Sequence, residues 1–109
     1  VLATTGTREM KIYDKYASKY DIEIIYPSQM GQQKVMDAIY SGVKAGKIVS
    51  PSDLDSVINE LKDKGCMCAV LACTELSVIY SGVNDEYIVD SLLTLARKAI
   101  ILCGKEIKN

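Results

Sequence analysis

Three groups of residues in this chain have the types and spacing that chemistry needs. The first is Cys73-Thr74-Glu75, set straight after the apolar run Cys66-Met67-Cys68-Ala69-Val70-Leu71-Ala72. The run reads as a buried strand, and helical spacing begins at Thr74, so Cys73 falls where a strand ends and a helix starts. In open parallel α/β sheets, ligands bind beyond the carboxyl ends of the strands. Backbone N–H groups at a helix start favour an anion. The position therefore predicts a Cys73 thiol lowered from about 8.5, and a thiolate able to serve as base or nucleophile. The competing reading is a small buried hydrophobe. Glu75 falls in the first helical turn, as a site member or as a capping acid. The second group, Thr4-Thr5-Gly6-Thr7, joins hydroxyl donors to a glycine that lets backbone approach a ligand. It reads as a carboxylate cradle or as a helix cap made by Thr7. The third is Lys44, near a helix end, where it meets an acidic ligand or is simply solvated.

Other chemistries are excluded by composition. The chain has no histidine, which removes Ser-His-Asp and Cys-His catalysis and most zinc sites. Thirteen basic and fourteen acidic residues leave a net charge of −1. No basic stripe suits a phosphate backbone, so nucleic acid is not expected as a partner. No apolar stretch approaches the roughly 20 residues of a membrane span, and no signal-peptide pattern opens the chain. The four cysteines, Cys66, Cys68, Cys73 and Cys103, are too sparse and clustered for a disulfide framework, so a reducing cytoplasm is the expected location.

Strands and helices must alternate to position the three groups. Strands are expected at Val1–Thr5, Ile22–Tyr26, Cys66–Ala72 and Tyr87–Val89. Apolar spacing predicts a helix from about Arg8 to Lys19. A longer helix is expected from the Ser28 cap to about Val43, and another from Ser50-Pro51 to Gly65. A short helix starts at Thr74, and a last one runs from the Asp90 cap to about Cys103. That last helix is apolar over much of its circumference, more than one sheet face can bury. The expected fold is α/β, a four-stranded parallel sheet with helices on both faces. The chain opens at Val1 with a strand already under way, as the second half of a larger protein would.

Val1-Leu2-Ala3-Thr4-Thr5-Gly6-Thr7, then Val43-Lys44-Ala45-Gly46, Cys73-Thr74-Glu75-Leu76 and Val89-Asp90-Ser91 resemble, in order and approximate spacing, the aspartate/glutamate racemase family, its aspartate racemase branch in particular. The resemblance covers nearly the whole chain but only the second half of a family member. It implies that residues 1–109 are the C-terminal catalytic domain of a two-domain, pseudo-twofold enzyme, with the N-terminal domain absent. It further implies proton transfer at the α-carbon between two cysteines, one per domain, without pyridoxal phosphate or metal. Cys73 matches the second cysteine, Thr74 a contact to the α-carboxylate, Thr4, Thr5, Gly6 and Thr7 a substrate loop, and Lys44 a lysine facing the distal carboxylate of aspartate. Glu75 is taken with these as a substrate-site residue. Ala72 departs from the glycine usual before the cysteine. The implied ligand is a small acidic amino acid, aspartate or glutamate, and a homodimer is the expected assembly. The alternatives are a glutamate or broad-specificity racemase, and a non-catalytic domain that only folds or dimerises.

Overall fold

The computed structural model describes residues 1–108, an α/β arrangement whose regular elements are short. Helices α1 (Thr5–Glu9) and α2 (Ile12–Ala17) are followed by a 3₁₀ turn, Ser18–Tyr20. Helix α3 (Gln29–Met36) passes into a π-helical stretch, Asp37–Gly42, and a 3₁₀ turn, Val43–Ala45. A 3₁₀ turn at Pro51–Leu54 leads into α4 (Asp55–Asp63). Strand β1 (Ala69–Leu71), helix α5 (Thr74–Ile79), strand β2 (Ile88–Asp90) and helix α6 (Ser91–Leu102) complete the order. None of these helices is long and apolar enough to cross a membrane.

The sheet is smaller than the sequence predicts. Among the described residues only β1 and β2 form a ladder, parallel, with Ala69 opposite Ile88 and Leu71 opposite Asp90. The expected first strand reduces to one parallel bridge, Leu2 to Leu71. It is held by Leu2 N–H to the Val70 carbonyl and Ala72 N–H to the Leu2 carbonyl, both 2.8 Å. The pairing stops there because Thr4 already caps α1, so the backbone turns helical after Thr4. The expected strand Ile22–Tyr26 has no strand pairing among the described residues. Its tie to the sheet is the Val1 ammonium, donating to the Ile25 carbonyl at 2.8 Å. The four-stranded expectation is therefore corrected to a two-stranded parallel sheet with one bridged neighbour.

The expected helix from Arg8 to Lys19 is broken at Lys11, whose φ is +53°. Neither α1 nor α2 buries a residue, so no packed face forces a continuous helix through this polar stretch. Capping at the other helix starts follows the local sequence. Ser28 Oγ accepts from Gly31 N–H at 3.2 Å. Ser50 Oγ accepts from Ser52 N–H, and Asp53 Oδ2 accepts in return from Ser50 N–H at 3.0 Å, a reciprocal cap. Asp90 Oδ1 accepts from Leu92 and Leu93 N–H.

The core joins Leu2 and Leu71 of the sheet region to Val35 and Ile39, to Leu54, Val57 and Leu61, and to Leu76 of α5, each no more than 1% exposed. Apolar side chains spaced three and four apart put one face of α4 inward. Helix α6 contributes nothing to this core.

Candidate active site

The parallel register decides which loops meet. Leu2, Leu71 and Asp90 lie side by side, so Ala3-Thr4, Ala72-Cys73 and Ser91 all leave the same carboxyl edge. Ser91 Oγ ties two of these exits together by donating to the Leu71 carbonyl at 2.6 Å. Beyond that edge Cys73, in extended conformation, is the N-cap residue of α5. The strand-to-helix junction expected at Cys73 is present.

Four of the expected residues form one contact chain. The Cys73 thiol donates to Glu75 Oε2 at 3.0 Å, and the Thr74 hydroxyl donates to the same oxygen at 2.9 Å. Lys44 Nζ lies 3.6 Å from the other oxygen, Glu75 Oε1. Lys44 reaches Glu75 from the turn just past the π-helical stretch. A π turn holds one residue more than an α turn and so re-aims the side chains after it. Gly42 ends that stretch, where an added Cβ would collide with the Val49 side chain. The Lys44 ammonium also lies over the Tyr40 ring, 4.9 Å from its centre.

The electrostatics of this chain run opposite to the lowered thiol expected from sequence. Burial pushes the Cys73 thiol up, and its hydrogen bond to the Glu75 carboxylate pushes the same way, outweighing the backbone N–H groups that favour the thiolate. Glu75 moves in the complementary direction. Its hydrogen bonds from Cys73 and Thr74, with a lesser contribution from Lys44, hold its carboxyl down at about 2. Between the two groups, the proton belongs to sulfur.

The second expected group sits at the same edge but outside this chain of contacts. Thr4, rather than Thr7, caps α1: its Oγ1 accepts from Thr7 N–H at 3.3 Å and donates to Thr7 Oγ1 at 3.1 Å. Thr5 N–H meets Met36 Sδ at 3.4 Å, and Thr5 Oγ1 faces Gln32 Nε2 at 3.5 Å. Gly6 is exposed, with open space where a Cβ would stand. Among the described residues, none of Thr4, Thr5, Gly6 or Thr7 hydrogen-bonds the Cys73 cluster.

Cys73 and Thr74 line a surface depression of about 260 Å³, shared with Tyr13, Ala72, Ser91 and Leu95. Thr5 lines a separate one of about 350 Å³ with Arg8 and Gln32. A larger cavity, about 850 Å³, lies between α5 and α6 and contains none of the expected residues. Size therefore does not select the site; chemistry does. Two residues at this edge receive no role from sequence. Ser91 belongs to the quoted Val89-Asp90-Ser91 segment and follows a strand just as Cys73 does, a readable signal. Gln32 has none: it is 7% exposed, donates to the Ala3 carbonyl at 2.8 Å, and carries an Oε1 without a hydrogen-bond partner among the described residues.

The chain is similar to known proteins over most of its length. The family model described as Asp/Glu/Hydantoin racemase matches residues 1–99. A Pectobacterium carotovorum subsp. carotovorum protein, described as "Uncharacterized protein in pnlA 3'region", is 30% identical over 104 residues, covering 92% of this chain and 69% of that relative. With a family match over nine-tenths of its length, the chain belongs to the Asp/Glu/Hydantoin racemase family.

Proposed function

We propose that this chain is the C-terminal catalytic domain of a cofactor-independent amino-acid racemase acting on aspartate, with Cys73 as one of two opposed acid/base groups. The observation that carries the reading is the Cys73–Glu75–Lys44 contact chain at the carboxyl edge of a racemase-family domain. An amino-acid α-C–H is a very weak acid, so the reaction needs a positioned base and stabilisation of the charge that develops. It also needs a proton from the opposite face, because a base that merely returned its own proton would regenerate the starting enantiomer. Cys73 serves one face. A cysteine from a preceding domain serves the other.

Thr74 and the Thr4–Thr7 loop suit the substrate's α-carboxylate, because both leave the edge where Cys73 sits. Lys44 suits the distal carboxylate, because its ammonium already pairs with a carboxylate there and 45% of its side chain is solvent-exposed. A glutamate-specific or broad-specificity racemase would use the same Cys73 chemistry with different selectivity at Lys44.

The test is α-proton exchange in D₂O together with optical rotation, on L- and D-aspartate. The 109-residue chain alone should not racemise aspartate at a useful rate; robust racemisation by it would sink the two-domain reading. Joined to the preceding domain, the chain should racemise aspartate, and Cys73→Ser should abolish inversion in both directions, since a serine hydroxyl is a far weaker acid than a thiol. In the same enzyme, Lys44→Ala should weaken aspartate more than alanine, and equal losses would remove Lys44 from the distal-carboxylate role.

A further inference from the structure

We infer that Glu75 is a positioning residue that keeps Cys73 in its protonated thiol form before substrate arrives, so that this face of the site donates a proton to the α-carbon. The inference rests on the racemase reading and gives Glu75 a different task from substrate contact. Both of its oxygens are occupied: Oε2 by the Cys73 thiol at 3.0 Å and the Thr74 hydroxyl at 2.9 Å, Oε1 by the Lys44 ammonium at 3.6 Å. A carboxylate held by two donors and a cation stays in one place, and from that place it accepts from sulfur. An ionised acceptor makes the stronger kind of hydrogen bond to its donor.

Charge gives the second argument. A Cys73 thiolate would stand beside an existing carboxylate, and a like charge that close disfavours ionisation. The other groups around Cys73 do little to offset this. Lys44 is engaged with Glu75 and with the Tyr40 ring. Tyr13, from α2, shares the depression as a phenol, and α6 brings only Ser91, Leu92 and Leu95 to it. The raised Cys73 thiol and lowered Glu75 carboxyl agree in direction with the geometry.

The proton balance is explicit. A thiolate on the opposite face, from the preceding domain, takes the α-proton as the C–H bond breaks and its electron pair stays on carbon. The Cys73 S–H bond then breaks, and its proton joins that pair from this face. The step leaves a thiol opposite and a thiolate at Cys73. Repulsion from Glu75 drives that thiolate to regain a proton, from solvent or in the reverse reaction.

The test reads the thiol with no substrate present. Iodoacetamide alkylation of the 109-residue protein is followed from about pH 6 to about pH 11 by tandem mass spectrometry, whose fragment ions separate label on Cys73 from label on Cys66 and Cys68 of the same tryptic peptide. Glu75→Gln keeps the size and removes the charge. It should move the alkylation midpoint of Cys73 down by about one pH unit, making the reaction ~10-fold faster at about pH 8. An unchanged or raised midpoint overturns the proposal, since it would make Glu75 a mere helix-start acid or an activating base. If circular dichroism finds Glu75→Gln unfolded, Glu75→Asp, which keeps the charge but shortens its reach, should move the midpoint down by less than one unit, and no movement again overturns it. Loss of the racemase reading would leave the alkylation result intact. Normal racemisation by the joined enzyme with an unmoved midpoint would remove the role of Glu75 alone.

Discussion

Helices α4 and α6 make an instructive pair. Helix α4, nine residues with four charged side chains, buries Val57, Ile58 and Leu61. Helix α6, twelve residues and mostly apolar, buries none; Leu95 is 67% exposed and Leu102 75%. The more apolar helix is the uncovered one. Burial depends on how apolar residues are arranged and on what stands opposite them. In α4 they form one stripe with α3 and the core before it. In α6 they run around the circumference, and its contacts with α5 and the two strands leave every residue from Leu92 to Leu102 exposed. An exposed apolar helix of this kind is expected to self-associate.

The largest effect that could break this contrast is at Leu61. Leu61→Ala should cost about 3 kcal/mol in urea unfolding, since that side chain is fully buried. A loss under about 1 kcal/mol would mean α4 is not the anchored helix. The next is an acid effect at the docking of α4 onto α3. Glu60 accepts from the N–H and hydroxyl of Ser28, both at 2.7 Å, and pairs with Lys64 at 2.8 Å. These partners, Lys64 foremost, hold its carboxyl down at about 2, from 4.5. Its pKa is depressed by folding, so its contribution is fully present above about 4.5 and is lost as pH falls through about 2. Glu60→Gln should therefore cost about 1 kcal/mol at neutral pH, and the difference from the parent should shrink on acidification. A pH-independent difference would refute that linkage.

The smallest stability effect is on the other side of the contrast. Leu95→Gln with Leu102→Gln should change unfolding free energy by no more than about 0.5 kcal/mol, as exposed substitutions do. The same pair should reduce concentration-dependent self-association in sedimentation equilibrium. A parent protein that stays strictly monomeric at high concentration would overturn that expectation.

Some of this was readable from the chain because it depends on neighbours a few residues apart. The caps at Ser28, Ser50 and Asp90 are hydrogen bonds closed within three positions, and the strand-to-helix junction at Cys73 is a change of apolar period. The start of α1 marks the limit of that reading. Thr4 took the cap assigned to Thr7, because both hydroxyls lie within reach of one helix start and only the backbone path selects between them.

What the sequence by itself determined is the helix starts at Ser28, Ser50 and Asp90, the strand-to-helix junction at Cys73 and the family resemblance its motifs carry. Tertiary structure decided how many strands pair, because a strand exists only where another backbone answers its N–H and C=O groups; for Ile22–Tyr26 no described segment supplies a ladder. It decided that α6 stays bare. It also decided the sign at Cys73. The local helix start favours a thiolate, but burial, foremost, together with the hydrogen-bonded Glu75 carboxylate returns the proton to sulfur. The burial comes from segments far apart in sequence packing around Cys73, and that packing exists only once the chain has folded.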